Sequence, residues 1–402
     1  MRHLYVHIPF CVRRCSYCDF SIAVRKRIPA AEYVQCVQRE LQLVQSGWVD
    51  PAAVPRGSPS ADAVPRGSPS ADAAPRGSAL ETLYLGGGTP SLLGADALSG
   101  LLGSLLDAAS SPGSRDGVEV TLEANPEDVT PTAAREWRRA GVNRVSLGAQ
   151  SFDDRVLEWM HRSHDAARIT EAVRTLRGAG IDNISLDLIF ALPVELGRDW
   201  SRDLDSGIAL RPSHLSLYGL TVEERTPLAR WISRGATSAP DDERYAAEYL
   251  LAHERLSAAG YHFYEVSNAC REGFRSRHNS AYWTGHEYVG LGPAAHSFDG
   301  RVRRWNVAQW EDYRRAIAEG RTPVESQEVL TAEQQELERV YLALRTDQGL
   351  TLTDFDRLRP SLTVWERQGW IQVTGDRVKC TAEGWLRLDA LIGDLTKPLV
   401  RL

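Results

Sequence analysis

Three cysteines stand within eight residues, Cys11-Val-Arg-Arg-Cys15-Ser-Tyr-Cys18, directly after the apolar run Leu4 to Ile8. The remaining cysteines, Cys36, Cys270 and Cys380, are scattered. In a reducing compartment such a cluster of thiols points to a metal or cluster site rather than a disulfide framework. A structural zinc site asks for four protein ligands in a closed tetrahedron. No fourth cysteine lies nearby, and the best substitute, His7, falls on the strand side. A four-iron, four-sulfur cluster held by three cysteines leaves one iron with an open coordination position, where a small chelating molecule binds.

Two further segments carry chemistry. Gly86-Gly87-Gly88-Thr89-Pro90 follows a second apolar run, Thr82 to Leu85, and a triple glycine permits close backbone approach to a ligand. His278-Asn279-Ser280-Ala281-Tyr282-Trp283 joins an imidazole, a strong axial ligand for haem iron, to flat aromatic rings that suit a porphyrin. Read blandly, that string is an ordinary hydrogen-bonded histidine. His286 and His296 are lesser candidates on the same stretch.

The elements that must position these residues read as a series of βα units. Strand candidates are Leu4 to Ile8, Thr82 to Leu85, Val118 to Glu123, Arg144 to Leu147, Asn183 to Phe190 and His214 to Tyr218. Each reads as a nearly continuous apolar run, as expected for a strand covered on both faces. Amphipathic segments lie between them, one with Val34, Val37, Leu41 and Val44, another opening at Asp165 and closing at Gly180. The expected fold is α/β, a partial (β/α)6 barrel whose active site forms at the C-terminal face. Glu123, Gln150, Asp187 and Tyr218, polar residues near the ends of successive strands, are candidates for that face.

Beyond the barrel, Pro240 to Ala259 reads as a helix and YHFYEVSN as a strand. Thr331 and Gln334 form a capping box, and the pair GWIQV and RVKCT around Thr374-Gly375-Asp376 signals a hairpin, so the C-terminus is expected to be a small winged-helix-like module. The expected division is a barrel over 1–235, a haem-motif region over 236–328 and the C-terminal module over 329–402. Residues 50–79 contain VPRGSPSADA twice and a decayed third copy, a composition with no apolar face, and read as a disordered insertion.

Composition sets the outer bounds. The 402 residues, 43% hydrophobic and 25% charged, describe a globular chain of two to three domains. No apolar run is long enough for a transmembrane segment, and the N-terminus does not read as a secretory signal, so a cytoplasmic location is expected. The net charge of -6, and ten Lys/Arg against eleven Asp/Glu within 329–402, argue against a nucleic-acid partner.

Taken together, YVHIPFC with its CxxxCxxC spacing, YLGGGTPSLL, EANPED, GVNRVSLGAQSFDD, HLSLYGLT and HNSAYW resemble the radical S-adenosylmethionine (SAM) group that contains oxygen-independent coproporphyrinogen oxidase and the HemW haem chaperones. The resemblance covers nearly the whole chain outside the repeat. It implies that Cys11, Cys15 and Cys18 ligate a 4Fe-4S cluster, and that Gly87, Gly88 and Thr89 contact the amino and carboxylate groups of SAM. Glu123, Gln150, Arg162 and Asp187 would bind its remaining polar groups, with Tyr5 and Tyr17 packed nearby. His278, Asn279, Tyr282 and Trp283 would hold haem. Taken singly, Glu123 and Asp187 also read as structural ion-pair members and Arg162 as a surface charge. Met160-His161, Ala149, Ala191 and Val194 depart from the group's usual residues.

Oxidases of the group have a further cysteine two residues beyond the third and a long N-terminal extension. Here Phe20 occupies that position and ten residues precede Cys11, which matches the HemW pattern. The expected function is a haem chaperone that binds a 4Fe-4S cluster, SAM and haem and delivers haem to recipient proteins, with a homodimer as the candidate assembly. The alternative is a radical SAM enzyme acting on a porphyrinogen, as an oxidase or a methyltransferase. A third reading is a zinc-stabilised winged-helix interaction protein.

Overall fold

The computed structural model describes residues 1–46, 79–109, 117–352 and 355–396, so all but the last residue of the expected insertion at 50–79 lies outside the described residues. One sheet dominates. Its strands are β1 (His3–Ile8), β2 (Thr82–Gly87), β3 (Glu119–Ala124), β4 (Arg144–Gln150), β5 (Asn183–Phe190), β6 (His214–Gly219), β7 (His262–Glu265), β8 (Asn268–Cys270) and β9 (Val289–Leu291). They lie in the order β9-β1-β2-β3-β4-β5-β6-β8-β7. Neighbours from β9 through β6 are parallel, and β8 and β7 close the far edge antiparallel.

Helices Ala30–Gln45, Ala95–Ala109, Pro131–Arg139, Ala166–Gly178 and Trp200–Ala209 follow the first five strands in turn. Crossovers of one hand carry the chain steadily around the sheet. Helix starts follow sequence chemistry: Asp165 caps Ala166–Gly178 by accepting from the Arg168 N–H at 2.8 Å.

All six expected strands are present with only their ends displaced, but they are not apolar on both faces. HLYVHI, TLYLGG, EVTLEA, RVSLGAQ, NISLDLIF and HLSLYG alternate at period two. Leu4, Val6, Leu83, Leu85, Leu147 and Leu186 are buried in one cluster with Val37, Leu102, Trp137, Val173 and Leu204 of the helices. The opposite residues face inward. Tyr5, Tyr84, Arg144, Ser146, His214, Ser216 and Asn268 line one cavity of about 390 Å³, so the sheet curls into a part-barrel. A hydrogen-bonded polar lumen replaces the second apolar layer that the sequence suggested.

The single strand expected from YHFYEVSN is two, β7 and β8, which turn back on each other at Val266 and Ser267. A three-stranded antiparallel sheet, His296–Phe298, Val302–Asn306 and Val324–Val329, extends the molecule. After it come helices Ala332–Leu344, Phe355–Arg367 and Leu388–Thr396 with a smaller sheet of Leu350–Thr351, Ile371–Thr374 and Arg377–Cys380. The capping box forms as read, Gln334 N–H donating to Thr331 Oγ1 at 3.2 Å and Thr331 N–H to Gln334 Oε1 at 2.8 Å. Thr374 pairs with Arg377 across a turn whose Gly375 has φ 63°. Among the described residues no helix is long and apolar enough to cross a membrane.

Candidate functional site

The cysteine loop leaves the C-terminal end of β1 and is pinned from several sides. Cys11 ends the short strand Phe10–Cys11, whose parallel partner is Ala23–Val24. Ser16 N–H donates to the Met160 carbonyl at 3.2 Å, the Ser16 carbonyl accepts from Leu228 N–H at 2.9 Å, and Arg13 reaches the His161 carbonyl at 3.1 Å. Cys11 Sγ lies 3.4 Å from Thr89 Oγ1, and Arg162 Nη1 lies 3.5 Å from Cys15 Sγ. All three thiols are free and part-exposed. Burial pushes the Cys18 thiol up to about 11, so a positively charged centre is what would hold it as a thiolate.

Among the described residues no group of three His, Cys, Asp or Glu side chains is gathered closely enough to hold a single metal ion. Tetrahedral zinc needs every donor within about 2.3 Å of one point. A four-iron cluster takes one thiolate per iron, and its ligands stand apart by the width of the cluster. Three thiols on one rim loop, with a guanidinium beside one of them, therefore fit the cluster donor set.

Next to that loop the room made by the glycines is filled by the protein itself. A Cβ on Gly88 would lie 2.7 Å from the Phe10 carbonyl oxygen, and one on Gly87, where φ is 111°, would lie 2.6 Å from the His7 ring. Gly88 N–H donates to the Ile8 carbonyl at 2.7 Å and Thr89 N–H to the Phe10 carbonyl at 2.8 Å. The motif thus stitches the end of β2 to the chain entering the cysteine loop.

Glu123 accepts from Tyr84 Oη at 2.8 Å and from Gly87 N–H at 2.9 Å, and burial pushes its carboxyl up to about 7. Asp187 is held by Ser146 at 3.0 Å and Ser185 at 3.3 Å, and burial pushes it up to about 6. Gln150 ends β4 beyond a bulge with φ 68°, a left-handed backbone uncommon outside glycine. Gly148 leaves room for the tips of Gln150 and Arg162, since a Cβ there would meet them at 2.9 and 3.2 Å. Arg162 is no surface charge: it donates to Asn125 Oδ1 at 2.5 Å and to the Gly148 carbonyl at 3.0 Å. Tyr17 packs with Val156, Met160 and Ile189 beside the loop. Two of the departures have a backbone signature, because His161 and Ala191 adopt φ 60° and 56°, where glycine is the easy residue.

The His278 motif lies at the other end of the barrel. Helix Arg277–Trp283 carries it, capped by Ser276. His278 Nδ1 lies 2.7 Å from Thr82 Oγ1, which lies 3.0 Å from His3 Nδ1, while His278 Nε2 lies 2.9 Å from Tyr282 Oη. The N–H groups of Arg277 and His278 both donate to Glu119, at 3.1 and 3.0 Å. His3, Thr82 and Glu119 begin their strands, so the helix plugs the N-terminal mouth of the lumen, opposite the cysteines. His278 is 2% exposed, and burial pushes its imidazole down to about 3. The Tyr264 hydroxyl lies by Asn279, and the Arg345 guanidinium lies 4.9 Å above the Trp283 ring.

The profile of the radical SAM superfamily matches residues 5–206. The Mycobacterium tuberculosis (strain H37Rv) protein named "Heme chaperone HemW" is 36% identical over 399 residues, which span 98% of this chain and 94% of the relative. The chain belongs to the HemW family of the radical SAM superfamily. The HemW protein of Bacillus subtilis (strain 168) is 31% identical over 88% of this chain and 86% of its own length. In three dimensions the chain is similar to Escherichia coli coproporphyrinogen III oxidase (HemN), a radical SAM enzyme, with a TM-score of 0.76 at 20% identity over 97% of this chain and 88% of that one. That likeness speaks to the fold.

In this HemW-family chain the rest of the lumen is lined by polar residues that no contiguous motif marks. Arg144, Ser146, Ser185, His214, Glu265 and Asn268 all face it. Their signal was the strict alternation of the strands, which marks an inward polar row once one face is known to be covered. A larger cavity, about 1010 Å³, opens beside the lumen and shares Tyr5, Tyr282 and Trp283 with it.

Proposed function

We propose that the chain is a haem chaperone built on a radical SAM barrel, binding a 4Fe-4S cluster, SAM and haem and handing haem to recipient proteins. One observation carries the reading: HemW-family likeness runs through nearly the whole chain, and the rim loop keeps three cysteines with Phe20 in place of a fourth. Cys11, Cys15 and Cys18 would ligate the cluster, whose open iron supplies a chelation point for the amino and carboxylate groups of SAM. Gly87, Gly88 and Thr89 would lie against those groups, and Glu123, Gln150, Arg162 and Asp187, with Tyr5 and Tyr17 nearby, would bound the rest of the molecule. Arg162 Nη1, 3.5 Å from Cys15 Sγ, would flank the cluster.

We assign 1–235 to the barrel, 236–328 to the region that carries the His278 motif, and 329–402 to a C-terminal module. Six free cysteines support a reducing, cytoplasmic setting. Anaerobic reconstitution of the full chain, followed on the same sample by iron and sulfide analysis, haem titration, haem transfer to an apo-haemoprotein and a coproporphyrinogen assay, tests the reading. Iron, sulfide, bound haem and transfer without decarboxylation are expected. Decarboxylation without haem binding would make the chain a porphyrinogen enzyme, and zinc without iron or sulfide would overturn both readings.

A further inference from the structure

Two neighbouring strands end in left-handed backbone on a residue that carries a side chain: Gln150 closes β4 at φ 68°, and Ala191 follows β5 at φ 56°. Such a conformation persists outside glycine only where the surroundings hold it. Here each turn is held by a carboxylate from a helix. Asp203, in the first turn of Trp200–Ala209, accepts from Ser151 Oγ and from Phe152 N–H, both at 2.7 Å, directly after Gln150. Glu248, from helix Asp242–Ala258, accepts from the Ala191 N–H at 2.7 Å.

The two carboxylates share one cation. Arg198, whose side chain is wholly buried, donates Nη2 to Glu248 at 2.6 Å and Nη1 to Asp203 at 3.4 Å, and Nη1 also reaches the Ile189 carbonyl at 3.3 Å. Trp200 backs the arrangement: its ring centroid lies 4.6 Å from the guanidinium carbon, and its Nε1 donates to the Glu248 carbonyl at 2.8 Å. Glu248 has a second cation in Arg244 at 2.8 Å, whereas the other donors to Asp203 are the neutral Ser151 and Phe152. A buried ion pair adds little net stability, so what this one supplies is the relative position of the two turns.

Both turns lead to residues placed against SAM above. Gln150 lies in the first, and from the second Ile189 and Leu192 pack in one cluster with Tyr17 of the cysteine loop. We propose that Arg198 is a positioning residue for SAM, acting through Asp203 on Gln150 and through Glu248 and the Ile189 carbonyl on the residues packed with Tyr17. The inference rests on the SAM contacts proposed above. It also accounts for alanine at 191, since Glu248 and Arg198 hold there a backbone that glycine would adopt unaided.

The test uses the full-length chain after anaerobic reconstitution. It measures iron and sulfide, SAM affinity by equilibrium dialysis with labelled SAM, and the electron paramagnetic resonance spectrum of the dithionite-reduced cluster at saturating SAM. R198M is expected to keep wild-type iron and sulfide and to bind SAM roughly tenfold more weakly. R198K should fall between, because an ammonium cannot fork to two carboxylates and a carbonyl as a guanidinium does. At saturating SAM the spectrum should match wild type, since chelation at the open iron uses none of these residues. Ala191→Gly should raise SAM affinity more in the R198M chain than in the wild-type chain, because glycine takes the left-handed turn without the tie. If R198M does not fold, R198K takes its place in that comparison. Wild-type SAM affinity in R198M, iron and sulfide lost in step with SAM, or an equal effect of Ala191→Gly in both chains overturns the positioning role while the SAM reading stands. A reconstituted wild-type chain that binds no SAM overturns both.

Discussion

Gly87 is the residue at which the barrel and the rim loop meet most tightly. Its φ of 111° alone strains an L side chain, by about 1–2 kcal/mol, and a Cβ would also press into the His7 ring at 2.6 Å. Gly94 supplies the control, since its φ is 77° but nothing lies within 4 Å of the position its Cβ would take. Gly94→Ala should lose only the backbone term and keep SAM affinity. Gly87→Ala should lose more stability and weaken SAM binding roughly tenfold, because His7 must swing off the motif. Urea unfolding and equilibrium dialysis with labelled SAM measure the two effects, and equal losses in the two variants would refute the special role of Gly87. At this scale the cysteines and the glycine motif were legible in the sequence because each is contiguous and its spacing is itself the chemistry. The hydrogen bonds that hold Arg162 and those that saturate His278 were not, because their partners lie far off in the chain: Asn125 and Gly148 for the first, Thr82 for the second.

Helix Ala30–Gln45 meets the extension beyond the barrel through Glu32 with Arg314, Tyr33 against Trp310 and the buried Glu40. Its carboxylate accepts from Gly292 N–H at 2.7 Å, Asn306 Nδ2 at 2.6 Å and Tyr313 Oη at 2.6 Å. Glu40→Ala leaves Gly292 N–H and Tyr313 Oη without an acceptor and Asn306 Nδ2 with the Gly292 carbonyl alone, and is expected to cost about 3 kcal/mol or more. Urea unfolding at pH 6 measures it, and a loss below about 1 kcal/mol would mean that water replaces the carboxylate. The strands of the barrel were legible from their apolar content. Their inward faces were not, because reading HLYVHI or EVTLEA as an apolar run overlooks the period-two row that becomes the lumen. The sheet from His296 to Val329 went unread for a related reason: VRRWN and VESQEV are half-exposed strands with no apolar signal of their own.

Over the whole molecule, two populations of buried ionisable groups pull stability in opposite directions with pH. Burial pushes Glu40, Glu123 and Glu265 up to about 7 and Asp187 up to about 6. It pushes His3 and His253 down to about 4 and His278 to about 3. Where a carboxyl is raised, the folded chain binds more protons than the unfolded one between pH 4.5 and about 7, so stability falls as pH rises through that window. A lowered imidazole binds fewer protons when folded between about 4 and 6.5, so its contribution is intact above pH 6.5 and is lost as pH falls toward 4. Among these groups the two effects oppose each other between roughly pH 4.5 and 6.5; below that the imidazoles dominate, with Asp187 alone opposing them down to 3.8, and above it only the carboxyls act. Cluster-free protein should therefore show a broad maximum of Tm across that interval and a decline on both sides. Glu40→Gln removes one carboxyl from the balance. A displacement from 4.5 to about 7 corresponds to about 3 kcal/mol at most, so the variant should gain up to that much on wild type between pH 5 and pH 8. Thermal melts of both proteins from about pH 3.5 to 8.5 measure it. A wild-type maximum near pH 8, or a difference between the two proteins that does not change with pH, would mean that the Glu40 carboxyl ionises without resistance inside the fold, and its three donors would then be stabilising the anion outright.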